Sequence, residues 1–371
     1  MSEFIDYGNS DFESVKNSKF VDKSGLLNVL NSNIDTEDRF MCISRPRRFG
    51  KSVAAKMAYA YYDRFSDSRK LFEGLKISKS PDYEKHLNKY PTLFIDWNRF
   101  AAIKKSDIVT VAQKKIVADL KKSYPLLKEE NILFDALTEI NETTGDRFIM
   151  IIDEWDMIVR DEDKSICDQY VNFLRSMFKA NSANKIFRLV YMTGILPIIK
   201  YETQSAMNNF REQSVINPGP TAKYYGFTKE EVKTLCEKYN MDLEQMEHAY
   251  DGYIVGDERS MFNPNSVMLS IYNRNYNSYW AKSASYTFIE PYIHIDENNV
   301  KPKIEKLLNG EEIIVDDGCF RYYLSEIQRC DSVLALLVTL GLLTYDYENY
   351  RAKIPNKEAA NILRGDIYDI Q

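Results

Sequence analysis

Residues 44–52 (SRPRRFGKS) combine a glycine, a lysine and a serine at the spacing that phosphate-binding loops use. The segment follows a short apolar run and opens a stretch of helical periodicity, which is the context that a Walker A loop requires. Backbone N–H groups of such a loop, with the positive end of the following helix, cradle phosphates. We expect Lys51 to reach the β- and γ-phosphates of ATP, and the Ser52 hydroxyl to coordinate Mg²⁺. The loop residues that complete this expected site are Arg47, Arg48, Phe49 and Gly50.

The loop alone allows a second interpretation. A Gly-Lys-Ser tripeptide occurs by chance in many proteins, so these residues could form an ordinary basic loop that caps a helix. Arg45 also occupies the position at which the usual motif has its first glycine. The Walker A interpretation therefore needs support from a second part of the sequence.

Residues 149–154 (IMIIDE) supply that support, because this apolar run ends in two carboxylates, as a Walker B segment does. Parallel strands place their carboxyl ends at one edge of a sheet, where ligands bind. We therefore expect Asp153 to lie beside Ser52 and to hold Mg²⁺, directly or through water. Glu154 would orient or deprotonate the attacking water as the catalytic base. Carboxylates that simply terminate a strand are the competing interpretation, and we expect the nearby Asp156 to be solvated.

Thr193 ends the next apolar run and is a second candidate for the catalytic site. Its hydroxyl could sense the γ-phosphate or position water, and a buried threonine that bonds the backbone is the alternative. Arg188 and Arg211 are candidates for stabilising charge on the transferred phosphate. The competing interpretation, which we favour, is that each is an ordinary surface arginine.

The elements that must position these residues alternate between strands and helices. Short apolar runs predict buried parallel strands, at residues 39–44, 91–96, 148–153 and 186–193. Helical stretches lie between them, at residues 51–65, 107–123 and 165–180. This alternation predicts βαβ units around a parallel sheet, an α/β three-layer sandwich over residues 21–225.

The pattern changes after residue 225. Thr228 followed by Glu231 is a capping box that opens a helix through Tyr239. The region 226–290 is expected to be a mostly helical lid. Residues 291–371 predict a small winged-helix-like domain, with a helix from Ser332 to Gly341 followed by a hairpin. Residues 1–20 are expected to form an N-terminal tail.

Composition restricts the class of protein. The 371 residues carry a net charge of −6, which argues against nucleic-acid binding by bulk electrostatics. The five cysteines are scattered, as expected for reduced thiols in the cytoplasm. No apolar run is long enough for a membrane span, and the acidic amino terminus does not read as a signal peptide. The three histidines are far apart and suggest no metal cluster.

Several ordered motifs resemble a bacterial AAA-ATPase-like family whose longer members carry a carboxyl-terminal PD-(D/E)XK nuclease-like domain. The segment at 45–52 (RPRRFGKS) matches the family's own loop, so the missing first glycine is a family feature. Residues 152–156 (IDEWD) resemble the family's IDEYD, with Trp155 in place of tyrosine. Further matches in family order are FVDKS at 20–24, YY at 61–62, LFEGL at 71–75, TGIL at 193–196, GFT at 226–228, DGY at 251–253 and NPNS at 263–266.

This resemblance covers roughly residues 15–290. It implies an ASCE-type P-loop core, an adenine nucleotide as ligand, and a water-activating glutamate next to the Walker B aspartate. Residues 291–371 show no strand-borne aspartate followed by a Glu-x-Lys pair, so we expect the nuclease-like domain to be absent. Whether the sequence is a short family member or part of a longer protein stays open.

Two functions remain open from the sequence. The first is an ATPase whose hydrolysis drives a conformational cycle, with low basal turnover until a protein partner or a second copy supplies missing groups. The second is a nucleotide-dependent switch or interaction module with negligible turnover. Direct DNA binding is not supported, because residues 333–340 of the expected recognition helix contain no lysine or arginine.

Overall fold

The structure is a computed structural model, and it describes residues 3–5, 7–100, 103, 107–128, 132–161, 164–179, 182–198, 207, 209–280, 300–321 and 330–368. It separates into two compact units. The first comprises Met1–Ile43, Lys51–Gly194 and Thr203–Glu212. The second comprises Ser44–Gly50, Ile195–Glu202 and Gln213–Gln371.

A five-stranded sheet forms the centre of the first unit. Its strands are β1 (Phe40–Ser44), β2 (Thr92–Asp96), β3 (Phe148–Asp153), β4 (Phe187–Gly194) and β5 (Arg211–Gln213). They lie side by side in the order β2-β3-β4-β1-β5, and β3 pairs in parallel with both β2 and β4. Every residue of β3 is buried, because helices cover both faces of a parallel sheet. The four strands predicted from apolar runs are thus confirmed, within one or two residues at their ends.

Helices surround this sheet. They are α1 (Ser10–Lys16), α2 (Leu26–Asn31), α3 (Lys51–Tyr62), α4 (Arg69–Phe72), α5 (Tyr83–His86), α6 (Ile108–Ser123), α7 (Leu133–Thr144), α8 (Met157–Asp161), α9 (Lys164–Phe178) and α10 (Ala183–Ile186). Short 3₁₀ helices span Lys76–Lys79 and Trp97–Phe100. The helix α3 buries Ala54, Met57, Ala58 and Tyr61, whereas Val53, near its start, is 38% exposed.

The amino-terminal residues pack within this unit. Phe4, Ile5 and Phe12 are buried. The carboxylate of Asp119 accepts hydrogen bonds from the backbone N–H groups of residues 3–5, at 2.9, 2.8 and 3.3 Å. The segment before the sheet is therefore held by both apolar burial and a buried polar anchor.

The second unit contains helices and two small sheets. Its helices are α11 (Lys229–Tyr239), α12 (Leu243–Tyr250), α13 (Pro264–Asn273), α14 (Val300–Leu308), α15 (Cys330–Leu340) and α16 (Lys357–Tyr368). The strands β6 (Phe227–Thr228), β7 (Tyr253–Val255) and β8 (Glu258–Phe262) form one antiparallel sheet, in the order β6-β8-β7. The strands β9 (Ile313–Ile314), β10 (Thr344–Asp346) and β11 (Arg351–Lys353) form the other, in the order β10-β11-β9.

The capping box that opens α11 is present. The Thr228 hydroxyl accepts from the N–H of Glu231, and the Glu231 carboxylate accepts from the N–H of Thr228. The predicted helix through Tyr239 is confirmed, but the sheet of β6, β7 and β8 was missed within the region predicted as mostly helical. Residues 281–290 of that region lie outside the described residues.

A helix and a hairpin are also present near the end of the chain. The helix predicted from Ser332 to Gly341 spans Cys330–Leu340, and the antiparallel pair β10 and β11 follows it. Assignment of this segment to the winged-helix class stays a prediction. Among the described residues, no helix is long and apolar enough to cross a membrane. Within the part of the chain that the structure describes, Cys42, Cys167, Cys236 and Cys319 form no disulfide bond.

Candidate functional site

Asp153 and Thr193 meet at the carboxyl ends of two neighbouring strands. Asp153 is the last residue of β3, and Thr193 is the penultimate residue of β4. The Thr193 hydroxyl donates a 2.5 Å hydrogen bond to Oδ1 of Asp153. Burial raises the pKa of Asp153 to about 6, although hydrogen bonds from Thr193 and Ser52 oppose that rise. The sequence prediction that Asp153 lies beside Ser52 agrees with this geometry.

Lys51 is the first residue of α3, and its side chain is buried. Burial lowers the pKa of its ammonium group, while the negative charges of Glu154, Asp156 and Asp153 oppose that shift. A lysine ammonium at a helix N-terminus is suited to bind an anion such as a phosphate group.

The turn after β3 carries Glu154 in an unusual backbone conformation. Its φ is 53°, in the left-handed region that non-glycine residues seldom adopt. Backbone hydrogen bonds hold this turn, from Trp155 N–H to Thr193 O and from Met157 N–H to Glu154 O, both 3.0 Å. A strained conformation persists only where its surroundings fix it, so the Glu154 backbone is held in place.

Gly194 allows the Trp155 side chain to pack against the end of β4. A methyl group at Gly194 would lie 2.5 Å from Cδ1 of Trp155, closer than real contacts allow. The indole is almost fully buried. The glycine therefore lets the turn after β3 approach β4 closely, beside Thr193.

Arg160 binds the two other carboxylates of the turn. Its guanidinium donates to Oε2 of Glu154 at 2.9 Å, and its Nε lies 3.2 Å from Oδ2 of Asp156. The prediction that Asp156 is solvated was wrong, because its side chain is 0% exposed and paired with Arg160. Sequence reasoning also missed Arg160, although its position four residues after Asp156 on a helix allows an ion pair.

Arg45, at the first-glycine position of the loop, is a buried anchor in the second unit. Its guanidinium donates to the carbonyl oxygens of Ser44 and Gln213, each at 2.8 Å, and to the Thr221 hydroxyl at 3.1 Å. It also lies over the Tyr225 ring, with Cζ 5.2 Å from the ring centroid. The arginine that replaces the first glycine of the usual motif therefore bonds to Gln213 and Thr221, which are far from it in sequence.

The other loop residues differ in exposure. Phe49 is buried, packs edge-to-face on Tyr253 with ring centroids 5.0 Å apart, and accepts the Gly226 N–H through its carbonyl. Arg47 is partly exposed and Arg48 is exposed. Arg48 and Gly50 have φ values of 67° and 88°.

Arg188 and Arg211 do not join the group around Asp153. Arg188 lies at the amino end of β4, about 16 Å along the strand from Thr193, and pairs with Asp35. Arg211 pairs with Asp38 at 2.8 Å, just before the start of β1. Both therefore act as ion-pair partners at the opposite edge of the sheet.

The donor set around Asp153 suits a magnesium ion. A carboxylate and a hydroxyl are the oxygen ligands that Mg²⁺ accepts, and the hydrogen bond between Ser52 and Asp153 brings them together. Burial disfavours the charged form of the Asp153 carboxylate, and a bound cation would stabilise that form. Among the described residues, no group of three or more His, Cys, Asp or Glu side chains could hold a metal ion by itself.

A parallel sheet with a glycine-lysine-serine sequence at the start of α3 and adjacent carboxylates at the end of β3 defines a P-loop NTPase of the α/β class. The chain belongs to the family described as predicted AAA-ATPase, whose sequence model matches residues 6–203.

Comparison with individual proteins gives distant similarities. An uncharacterized protein in the vnfD 5′ region of Azotobacter chroococcum mcd 1 is 22% identical over 354 residues, which cover 91% of this chain. The chain spans 64% of the length of that relative. Among solved structures, a Walker-type ATPase of Pyrococcus abyssi is 14% identical with a TM-score of 0.41, covering 92% of this chain and 94% of that one. The Aeropyrum pernix ORC2 protein is 13% identical with a TM-score of 0.40, covering 96% of this chain and 92% of that one.

Proposed function

We propose that this chain binds ATP with Mg²⁺ and hydrolyses it, and that hydrolysis drives a conformational cycle. Membership of the ATPase family supports nucleotide binding. The observation that carries the proposal is the shared contact of Ser52 and Thr193 with Asp153, because it unites three parts of the sequence at one sheet edge.

Each residue then has a role. Lys51 binds the β- and γ-phosphates, and Arg47, Arg48, Phe49 and Gly50 contribute the loop before it. Ser52 and Asp153 would hold Mg²⁺, which would supply positive charge beside the phosphates. Glu154 accepts a proton from the attacking water, and Thr193 orients either that water or the carboxylate of Asp153.

We expect low basal turnover. Phosphoryl transfer commonly depends on an arginine that stabilises transition-state charge. Neither Arg188 nor Arg211 lies at the carboxyl ends of the strands, so neither is placed to supply this charge. A partner protein or a second copy of the chain is the proposed source.

Steady-state phosphate release tests the proposal, with Glu154→Gln as the variant. Glu154 acts only when water attacks, so this change removes transition-state stabilisation and little ground-state binding. ATP affinity should stay within a few-fold, while turnover falls by about 10²-fold or more. If the variant matches an active wild type, Glu154 is not the base. A wild type that binds ATP without turnover would favour the nucleotide-dependent switch.

A further inference from the structure

Arg160 links two carboxylates in the turn that carries the proposed base. Its side chain is 5% exposed, and those of Glu154 and Asp156 are 18% and 0% exposed. Its Nη2 group donates to Oε2 of Glu154 at 2.9 Å, while its Nε lies 3.2 Å from Oδ2 of Asp156. The guanidinium therefore contacts two carboxylates at once, Glu154 through a hydrogen bond and Asp156 through an ion pair, and the single ammonium group of a lysine lacks this fork geometry.

The Arg160 side chain has a fixed anchor. Asp156 is fully buried, and separating a buried ion pair leaves an uncompensated charge at high cost. The backbone N–H of Arg160 also donates to the carbonyl of Asp156 at 2.9 Å. The guanidinium therefore stays in place relative to the turn, which argues for a lasting contact with Glu154 rather than one that breaks in each cycle.

The contact uses one oxygen of the Glu154 carboxylate. Among the described residues, no protein group donates a hydrogen bond to Oε1 of Glu154. The backbone of Glu154 is already fixed by its left-handed conformation and by the bond from Met157 N–H. The hydrogen bond to Oε2 restrains the Glu154 side chain as well. A general base needs such restraint, because small misplacements of reacting groups reduce rates strongly.

We propose that Arg160 is a positioning residue that holds Oε2 of Glu154 so that Oε1 receives the proton of the attacking water. Asp156 anchors Arg160 in this role. The inference rests on the proposed function, because it requires Glu154 to act as the base. It assigns Arg160 and Asp156 the task of orienting the proposed base.

The test compares kcat, KM and the dissociation constant of ATP for wild type, Glu154→Gln, Arg160→Gln and the double variant. Arg160→Gln should lower kcat by about 10- to 10²-fold, because the base loses its orientation. ATP affinity should stay within about threefold, because the proposed role of Arg160 is to orient the base and not to bind the nucleotide. In the Glu154→Gln background, Arg160→Gln should cause no further loss, since residues that act as a unit are non-additive.

Two more variants separate positioning from folding. Arg160→Lys keeps the charge but cannot bind both carboxylates, so its kcat should lie between those of wild type and Arg160→Gln. The matched control is Arg64→Gln, which removes the ion pair with Asp146 at 2.5 Å, just before the amino end of β3. This control should keep kcat within about twofold of wild type, since it loses an ion pair without touching the turn.

Several results would overturn the inference. An unchanged or raised kcat in folded Arg160→Gln would show that Arg160 does not support the base. An additional, multiplicative loss in the Glu154→Gln background would show that it acts elsewhere. If Arg160→Gln does not fold, Arg160→Lys decides, and wild-type kcat in that variant would refute the geometry. An active Glu154→Gln or an inactive wild type would instead refute the proposed function, and this inference with it.

Discussion

The hydroxyl of Thr193 donates a 2.5 Å hydrogen bond to Oδ1 of Asp153, joining the ends of two neighbouring parallel strands. Both residues are buried, so the bond forms where water competes little for the carboxylate. It stabilises the charged form of Asp153 and fixes the direction of its oxygen atoms. The relationship makes Thr193 a residue that prepares the proposed metal ligand as well as a candidate for positioning water.

Replacing Thr193 with valine tests this relationship. Thr193→Val keeps the branched shape but removes the donor, so the free energy of unfolding should fall by about 1–3 kcal/mol at neutral pH. Turnover should fall by about tenfold, the effect of one lost hydrogen bond in the transition state. Thr193→Ser retains the hydroxyl and serves as the control, with smaller losses of both. Urea unfolding and phosphate release measure the two effects, and equal values for the valine and serine variants would contradict the argument.

Asp153→Asn should stabilise the nucleotide-free protein while removing its function. Burial raises the folded-state pKa of Asp153 to about 6, above the unfolded value of 3.8. A carboxyl whose pKa is raised by folding favours the folded state at pH values below its unfolded-state pKa. That contribution is lost as the pH rises through its folded-state pKa. At pH 7.5 the charge therefore opposes folding, by up to about 3 kcal/mol.

The neutral asparagine removes this opposition. In EDTA at pH 7.5, Asp153→Asn should raise the midpoint of thermal unfolding above that of wild type. The difference should shrink as the pH is lowered toward 4, where the wild-type carboxyl is protonated. Binding of ATP with Mg²⁺ should weaken in the same variant. A lower midpoint than wild type at pH 7.5 would mean that the buried charge is stabilised by its hydrogen bonds more than burial opposes it.

Arg45→Gly restores the glycine of the usual motif and should nevertheless destabilise the protein. The change leaves a cavity and removes donors from the carbonyl oxygens of Ser44 and Gln213. The free energy of unfolding should fall by at least about 2 kcal/mol. Arg48→Gly is a matched control in the same loop, because Arg48 is exposed and its φ of 67° suits glycine. Urea unfolding of both variants measures the effect. Equal free energies of unfolding for Arg45→Gly and Arg48→Gly would show that Arg45 does not stabilise the fold.

Much of the first unit could be predicted because its signals are local. Residues 148–153 form a continuous apolar run, and the structure has a fully buried strand there. The Thr228 and Glu231 capping box likewise depends on residues three apart, and its helix was predicted correctly. The small sheet of β6, β7 and β8 lacks such a signal, since β6 has two residues and β8 begins with Glu258 and Arg259.

The missed parts of the candidate site depend on distant contacts or on burial. Arg45 donates to residues 168 and 176 positions away in sequence, which no local pattern indicates. Asp156 resembles a solvated turn residue in sequence, and only the packing of α8 shows that it is buried with Arg160. The continuous apolar run predicts the strand that ends in Asp153. It does not predict that Asp156, three residues further on, pairs with Arg160.

Lys51→Ala should weaken ATP binding at least tenfold, or about 1.4 kcal/mol, because the proposed contact of its buried ammonium with the β- and γ-phosphates has no substitute in the loop except Arg47 or Arg48. Lys56→Ala is the matched control on the same helix. Its ammonium is partly exposed and lies 3.3 Å from an Asp11 carboxylate oxygen, so its loss should leave affinity within about twofold.

Titration of each folded variant with a fluorescent ATP analogue and Mg²⁺ measures both dissociation constants. Circular dichroism confirms folding, which matters because Lys51 balances the charges of nearby carboxylates. An unchanged dissociation constant for Lys51→Ala would rule out the phosphate-binding role of the loop, whereas equal losses in both variants would indicate a general effect of charge.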